Sequence, residues 1–378
     1  MSTIKPFKVA VPEEDIQKLN QKLLEARLPD GGPDGWDRGT PLQDIKRISK
    51  YWLESFSWRS FEERLNQLPN FETTISVDGF DPIQVHFIHQ RSSSPDAIPL
   101  LFVHGWPGSF HEIVKCLPLF AESENNGGPA FHIVAPSLPN FGFSSRIEKP
   151  GFHLKHYAET CHKLMLALGY EKFACQGGDW GSMICRVLGT LHPKSLFGIH
   201  LNLVSGTPPP PTSPFSYLRY LITDFFGWYT PQEKQGFKSR QNYQEYGSGY
   251  FQIQKQSPNT IRFALADSPV GLLAWIYDKL VNWTDEYPWT EEEVCAWVSL
   301  YWFSRAGPGA SVTIYHEGFS YFPKELMGTP RFWNRRLGDV IFEKEHEKGG
   351  HFAAWEQPEA LVGDLRVMLG PGGGISRL

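Results

Sequence analysis

The sequence predicts an α/β protein built on a doubly wound, mostly parallel sheet. Three observations carry that prediction. Residues 99–103 (PLLFV) and 131–135 (FHIVA) are short, continuous apolar runs, the pattern of strands buried on both faces. Helical segments alternate with such runs across short connections. The 378 residues are 41% hydrophobic, 14% aromatic and 20% charged, enough apolar surface for a large core and too much for a disordered chain.

Each element can be justified in chain order. Pro12-Glu13-Glu14-Asp15 puts acidic residues at a helix start, and Ile16, Leu19, Leu23 and Leu24 supply its apolar face. Residues 29–41 are dense in Gly, Pro and Asp and read as a loop. Residues 42–68 read as one helix with Ile45, Ile48, Tyr51, Trp52, Phe56 and Phe61 on a broad apolar face. Residues 71–89 read as two strands joined near Asp78-Gly79, with Ile83, Val85 and Phe87 alternating. After the two buried strands come a helix at 157–168, a strand at 172–176, a helix at 182–191 and a strand at 197–204. The Pro-rich stretch 207–211 breaks that rhythm. From there to about residue 311 the chain is helical in pattern and rich in aromatics, the mark of an inserted helical cap. Short apolar runs return from Val312, including residues 340–342, and the Gly-rich tail at 370–374 is expected to be mobile.

Composition excludes several function classes. Lys plus Arg number 36 and Asp plus Glu 41, a net charge of −5 without a basic block, which argues against a nucleic-acid partner. The five cysteines, Cys116, Cys161, Cys175, Cys185 and Cys295, are scattered and form no CxxC, so no zinc cluster or disulfide framework is expected. Reduced thiols point to a cytoplasmic location. The N-terminal residues lack the apolar core of a signal peptide. The longest apolar run, 270–277, falls far short of the roughly 18 residues a spanning helix needs, so no membrane anchor is expected. The sequon Asn282-Trp283-Thr284 reads as chance.

The strongest chemical signal is Gly177-Gly178-Asp179-Trp180-Gly181, between a strand and a helix. A nucleophile elbow needs small residues two before and two after the nucleophile, because the turn is too tight for side chains there. Asp179 then stands where a serine would signal acyl transfer, and a carboxylate suits attack at an sp³ carbon to give an alkyl-enzyme ester. The plainer alternative is a Gly-rich turn with Asp179 as a helix cap. Upstream, His104-Gly105-Trp106-Pro107-Gly108 follows the first buried strand. In the α/β-hydrolase fold a backbone N–H of this loop joins that of the residue after the nucleophile in an oxyanion hole, here Trp106 and Trp180; a Gly/Pro turn with a buried tryptophan is the alternative. Gly349-Gly350-His351-Phe352 lies where the fold's chain order, nucleophile then acid then histidine, places the base. His346 competes but sits among Glu343, Glu345 and Glu347 and is expected to be solvated. Glu325, in Phe322-Pro323-Lys324-Glu325, is the candidate acid, with Asp339 as runner-up.

These motifs, together with Trp52, Trp58-Arg59 and Leu65-Asn66, resemble the microsomal-type epoxide hydrolases, most closely their soluble fungal members, over nearly the whole chain. The resemblance implies an α/β-hydrolase fold with a mostly parallel doubly wound sheet, an inserted helical lid and an N-terminal meander that clasps the core. It divides the chain into an N-terminal extension (1–90), a first core part (91–206), the lid (207–311) and a second core part (312–378). It implies opening of epoxides to vicinal diols with water and without cofactor or metal. It assigns the nucleophile to Asp179, the acid to Glu325, the base to His351, and the two lid tyrosines that hydrogen-bond the epoxide oxygen to Tyr250 and Tyr315. Membrane-bound relatives carry an N-terminal anchor helix, which is not expected here, and a homodimer is the family-level expectation. The expected partners are a small apolar epoxide and water. A haloalkane dehalogenase-like hydrolase shares the Asp elbow, an epoxide-opening cyclase could use the same site, and a non-catalytic scaffold is the rival of another class. Detoxification and biosynthesis stay open alike.

Overall fold

A computed structural model describes residues 3–32, 35–204, 206–317, 342–370 and 373. Among them are strands β1 (Lys5–Pro6), β2 (Asn70–Ile75), β3 (Ile83–Gln90), β4 (Ile98–Val103), β5 (Phe131–Pro136), β6 (Phe173–Gly177) and β7 (Leu196–Leu201). Three helices, α1 (Glu13–Leu24), α2 (Leu42–Glu54) and α3 (Trp58–Asn66), precede the sheet's main body. Three more, α4 (Leu117–Asn125), α5 (Leu154–Ala167) and α6 (Trp180–Leu191), alternate with its strands. The helices α7 (Pro214–Phe226), α8 (Pro231–Asn242), α9 (Gly249–Gln256), α10 (Pro258–Asp267), α11 (Pro269–Asn282) and α12 (Glu291–Trp302) follow, then the short α13 (Ile314–Glu317).

The strands form one sheet in the order β1-β2-β3-β5-β4-β6-β7. β5, β4, β6 and β7 are parallel to one another, and the first three strands join them antiparallel. Continuous apolar runs make the parallel half because both faces there are covered. Leu101 and Val103 of β4 pack with α5 and α6, while Leu100 and Phe102 pack with the C-terminal helix Pro358–Leu369. β5 and β6 lie on opposite sides of β4, so the chain reverses direction across it. The carboxyl ends of β4 and β6 meet at Val103 and Gly177, and a crevice opens where such reversals occur.

Three local expectations need correction. The helix read over 42–68 is broken between Glu54 and Trp58, where Ser57 caps α3 by accepting from the Ser60 N–H at 3.2 Å. The break sends Trp52 and Trp58 into different cores. β3 is not half exposed: His86 and Ile88, between its alternating apolar residues, are also buried, because their face is covered too, His86 by the rings of Phe7, Phe110 and Phe143 and Ile88 by the second core. His86 reaches Ser137 Oγ at 2.8 Å and Asn70 Oδ1 at 3.0 Å, and burial lowers its pKa to about 3, so it is neutral. The stretch from Val312, read as a return to short apolar runs, begins within a 3₁₀ turn (Ala310–Thr313) and continues in α13. The β-branched run Val312-Thr313-Ile314 follows its tertiary surroundings, burying Val312 and Ile314 against α9 and α10.

Trp58-Arg59 and Leu65-Asn66 have a structural explanation. Asn66 exchanges two hydrogen bonds with the Val9 backbone, at 2.8 and 2.9 Å. Arg59 donates to Val11 O at 2.8 Å, and Glu62 accepts from the Val11 N–H at 2.7 Å. Residues 9–11 are thereby strapped to α3. The N-terminal helices grip the cap as well as the core. Trp52 Nε1 donates to Ser299 Oγ of α12 at 3.0 Å, and the acidic first turn of α12 pairs Glu291 with Arg47, Glu292 with Arg64 and Glu293 with Lys115. The cap's aromatics point two ways. Tyr250, Tyr277 and Trp297 are buried, whereas Phe215, Phe225, Phe226 and Trp228 are exposed, so aromatic content alone overstates the apolar lining.

Candidate active site

The strand-turn-helix at Gly177–Gly181 has the geometry its spacing predicts. Asp179 has φ 49° and ψ −130°, a sharp conformation rare outside glycine. A Cβ on Gly177 would lie 2.3 Å from the Gly181 carbonyl oxygen, and one on Gly181 would lie 2.0 Å from Val103 O. Neither position admits a side chain. The turn lifts the Asp179 carboxylate above the carboxyl edge of the sheet, at the N-terminus of α6.

The neighbouring loop is built around that carboxylate. The Trp106 N–H donates to Asp179 Oδ1 at 2.5 Å, and a Cβ on Gly105 would fall 2.0 Å from the same oxygen. His104 serves the loop and not the chemistry. Its Nε2 accepts from the Leu138 N–H at 3.2 Å, which leaves Nδ1–H to donate to Gly105 O at 3.0 Å, and burial lowers its pKa to about 4. Two donors from α12 hold the next two carbonyls. Trp297 Nε1–H donates to Pro107 O at 2.6 Å, and the Tyr301 hydroxyl to Gly108 O at 2.5 Å. Glu112 accepts from the Ser109 N–H at 3.2 Å; burial and the nearby Asp179 charge raise its pKa to about 8. Trp180 is the first residue of α6, where a helix leaves the N–H without a partner of its own.

His351 arrives from the other side. Its Nε2 lies 3.4 Å from Asp179 Oδ2, its side chain is 4% exposed, and burial lowers its pKa while Asp179 opposes the shift. The Gly349-Gly350 pair is needed because the backbone passes so close to the 283–285 turn. Gly349 has φ 110°, and a Cβ on Gly350 would lie 2.4 Å from Trp283 O, to which the His351 N–H donates at 2.8 Å. Glu356 fixes this loop by accepting from the backbone N–H groups of Gly350, Phe352 and Asp285 at 3.1, 3.0 and 2.9 Å.

Tyr250 on α9 and Tyr315 on α13 also line the site, 7% and 2% exposed. Their ring centroids lie 5.7 Å apart, with Tyr250 stacked on Trp106 at 5.3 Å and Tyr315 edge-on to Trp180 at 5.0 Å. Burial pushes both phenol pKa values well up, and the Asp179 charge adds to each, so both rings stand within its field.

The structure thus brings together Asp179, Trp106, Trp180, His351, Tyr250 and Tyr315. Glu325 and Asp339 lie outside the described residues, as does most of the strand read at 340–342 and the tail apart from Gly370 and Gly373. His346 is not merely solvated: its Nε2 sits 2.6 Å from Asp364 Oδ2 on the C-terminal helix, away from Asp179. Sequence reasoning missed Tyr243, whose hydroxyl lies 3.0 Å from that of Tyr250, and the loop holders Trp297, Tyr301, Glu112 and Glu356. It also passed over Trp283, whose ring is 5.1 Å from Tyr250 and 4.9 Å from His351. The sequon hid it; the aromatic step at the end of α11 was the available signal. Among the described residues, no group of three His, Cys, Asp or Glu side chains could hold a metal ion, and no helix is long and apolar enough to cross a membrane.

Fold and site together define an α/β-hydrolase whose elbow carries a carboxylate. Residues 98–245 match the family model described as alpha/beta hydrolase fold, and residues 4–113 match that described as epoxide hydrolase N terminus. Epoxide hydrolase 1 of Sus scrofa is 35% identical over 410 residues, covering 97% of this chain and 89% of its own. The structure of Aspergillus niger epoxide hydrolase superposes with a TM-score of 0.81 at 33% identity, covering 96% of this chain and 95% of its own. The juvenile hormone epoxide hydrolase of the silkworm Bombyx mori gives 0.84 at 27%, covering 97% and 93%. The chain belongs to the epoxide hydrolases.

Proposed function

We propose that this epoxide hydrolase opens small apolar epoxides through an alkyl ester on Asp179. The observation that carries the reading is the arrangement about one carboxylate: Trp106 N–H on Oδ1, His351 Nε2 facing Oδ2, and two buried phenols packed on the same tryptophans. Asp179 attacks the less hindered or the benzylic carbon in line. Tyr250 and Tyr315 hydrogen-bond the ring oxygen and protonate it as the C–O bond breaks. His351, kept neutral by burial, then takes a proton from water, and the hydroxide adds to the ester carbonyl. The Trp106 and Trp180 N–H groups hold the resulting oxyanion. The diol leaves, and Asp179 has exchanged one oxygen with solvent. Glu325 orients His351 in this scheme. The division at 1–90, 91–206, 207–311 and 312–378 belongs to the same reading, with the cap supplying Tyr250 and the start of the second core part supplying Tyr315.

Multiple turnovers in ¹⁸O-labelled water test the scheme. Label is expected in Asp179, and the diol of a first turnover in labelled water is expected to be unlabelled. Label in that first diol would mean that His351 directs water at the epoxide itself. In His351→Gln, intact-protein mass spectrometry should show a persistent adduct, since alkylation proceeds and ester hydrolysis does not. The double change Tyr250→Phe with Tyr315→Phe should nearly stop alkylation, whereas an alkylation rate near wild type would favour a dehalogenase-like reaction.

A further inference from the structure

Lys279 of α11 ends in a place where lysine is seldom found. The residue is 8% exposed, and its Nζ lies 4.7 Å from the ring centroid of Tyr250, 5.8 Å from that of Trp283 and 5.9 Å from that of Trp275. The Asp278 carboxylate pairs with it, and Asp278 in turn accepts from Asn282 Nδ2 at 2.9 Å, so the ammonium is fixed. A leucine or methionine would fill that space without desolvating a charge. Two of the three rings border the site. Tyr250 stacks on Trp106 with an interplanar angle of 9°, and Trp283 also touches Trp106 and His351.

We propose that Lys279 is a positioning residue for Tyr250, its charge stabilising the phenolate that forms when Tyr250 gives its proton to the epoxide oxygen. The inference rests on the ring-opening scheme above. In that step an Asp179 oxygen bonds to the epoxide carbon, the C–O electron pair passes to the ring oxygen, and the Tyr250 proton joins it. Asp179 becomes a neutral ester while Tyr250 becomes an anion, so negative charge moves from the carboxylate to the phenol, beside the ammonium. The phenolate regains a proton when water adds to the ester and His351 releases the one it took. Burial opposes such a phenolate, as do the neighbouring Tyr315 and Tyr243. Lys279 supplies the opposing field, within range of a strong cation–ring interaction.

Lys279→Met and Lys279→Arg, each in the wild type and in Tyr250→Phe, test this by single-turnover kinetics with styrene oxide as probe. Lys279→Met is expected to slow alkylation about 10- to 30-fold, the range a desolvated cation over an aromatic face can supply. Hydrolysis of the accumulated ester should keep its rate, which also reports that the variant is folded. Lys279→Arg should restore most of the alkylation rate. In Tyr250→Phe the methionine change should matter by no more than about twofold. An equal loss in both backgrounds, or a loss confined to KM, would overturn the proposal, because a packing role does not pass through the phenol. If Tyr250→Phe has no effect of its own, the ring-opening reading fails; if it slows alkylation without coupling to Lys279, only the lysine inference fails.

Discussion

At the scale of single residues, the most exacting position is Gly181. Any side chain there meets the Val103 carbonyl, the last residue of β4, and neither strand nor helix can move without dismantling the sheet edge. Gly181→Ala should cost about 3 kcal/mol or more and show as a lowered melting temperature or loss of folded protein. The glycines of the elbow were legible in the sequence because their reason is local and steric. Asp179 and His351 were legible for a similar reason, since each stands in a short motif with a fixed place in chain order. Glu112 was not, because its role comes from being buried beside a carboxylate 67 residues further on, 112 against 179. Its folded-state pKa is raised from 4.5 to about 8, so between those values the folded protein keeps a proton that the unfolded chain has lost. Stability contributed by that proton is present below about pH 4.5 and lost as pH rises toward 8. Urea denaturation of Glu112→Gln across this window should show a weaker fall in stability with pH than the wild type. An unchanged slope would mean that Glu112 titrates normally.

At the scale of elements, α12 matters more than its sequence suggests. Trp297 and Tyr301 stand one turn apart, and both spend their single donor on consecutive carbonyls of the Trp106 loop. Tyr301→Phe leaves the ring in place and the Gly108 carbonyl without its partner, so the loop loses one of the groups that aim the Trp106 N–H. Steady-state kinetics should show kcat falling by about tenfold or more with KM little changed, since a donor pointed at the oxyanion acts on the transition state. A change in KM alone would place Tyr301 in substrate binding. Such cross-links between elements are what the sequence conceals. The sequence placed α12 within a helical, aromatic-rich stretch, but that pattern carries no information about which hydroxyl meets which carbonyl. The same limit explains the helix at 42–68, where apolar spacing continued through Phe56 and only the capping by Ser57 marked the break. It also explains the stretch from Val312, read as a return to short apolar runs, where packing made a 3₁₀ turn and a helix.

At the scale of the whole molecule, the alternation of buried strands with helices was the most legible feature. Strands buried on both faces, alternating with helices, admit few topologies, and the reversal across β4 places the two glycine motifs side by side. The relation of the N-terminal helices to the cap was least legible, because Trp52 and Ser299 or Arg64 and Glu292 meet across more than two hundred residues. Each of those surface ion pairs contributes no more than about 1 kcal/mol, and the buried indole–hydroxyl bond is the firmer tie. The indoles around Asp179 have a further consequence. Trp106 is bonded to the carboxylate through its backbone, Trp180 follows it in the chain, and Trp283 stands against His351. Indole emission responds to the charge and polarity of its surroundings, and in the proposed scheme a full negative charge moves from the Asp179 carboxylate to the Tyr250 phenol, among these three emitters, whenever the ester forms. Stopped-flow fluorescence should therefore change at the rate of alkylation and recover at the rate of hydrolysis, giving both steps without a labelled substrate. In Asp179→Ala the slow recovery should vanish, leaving only the fast signal of binding.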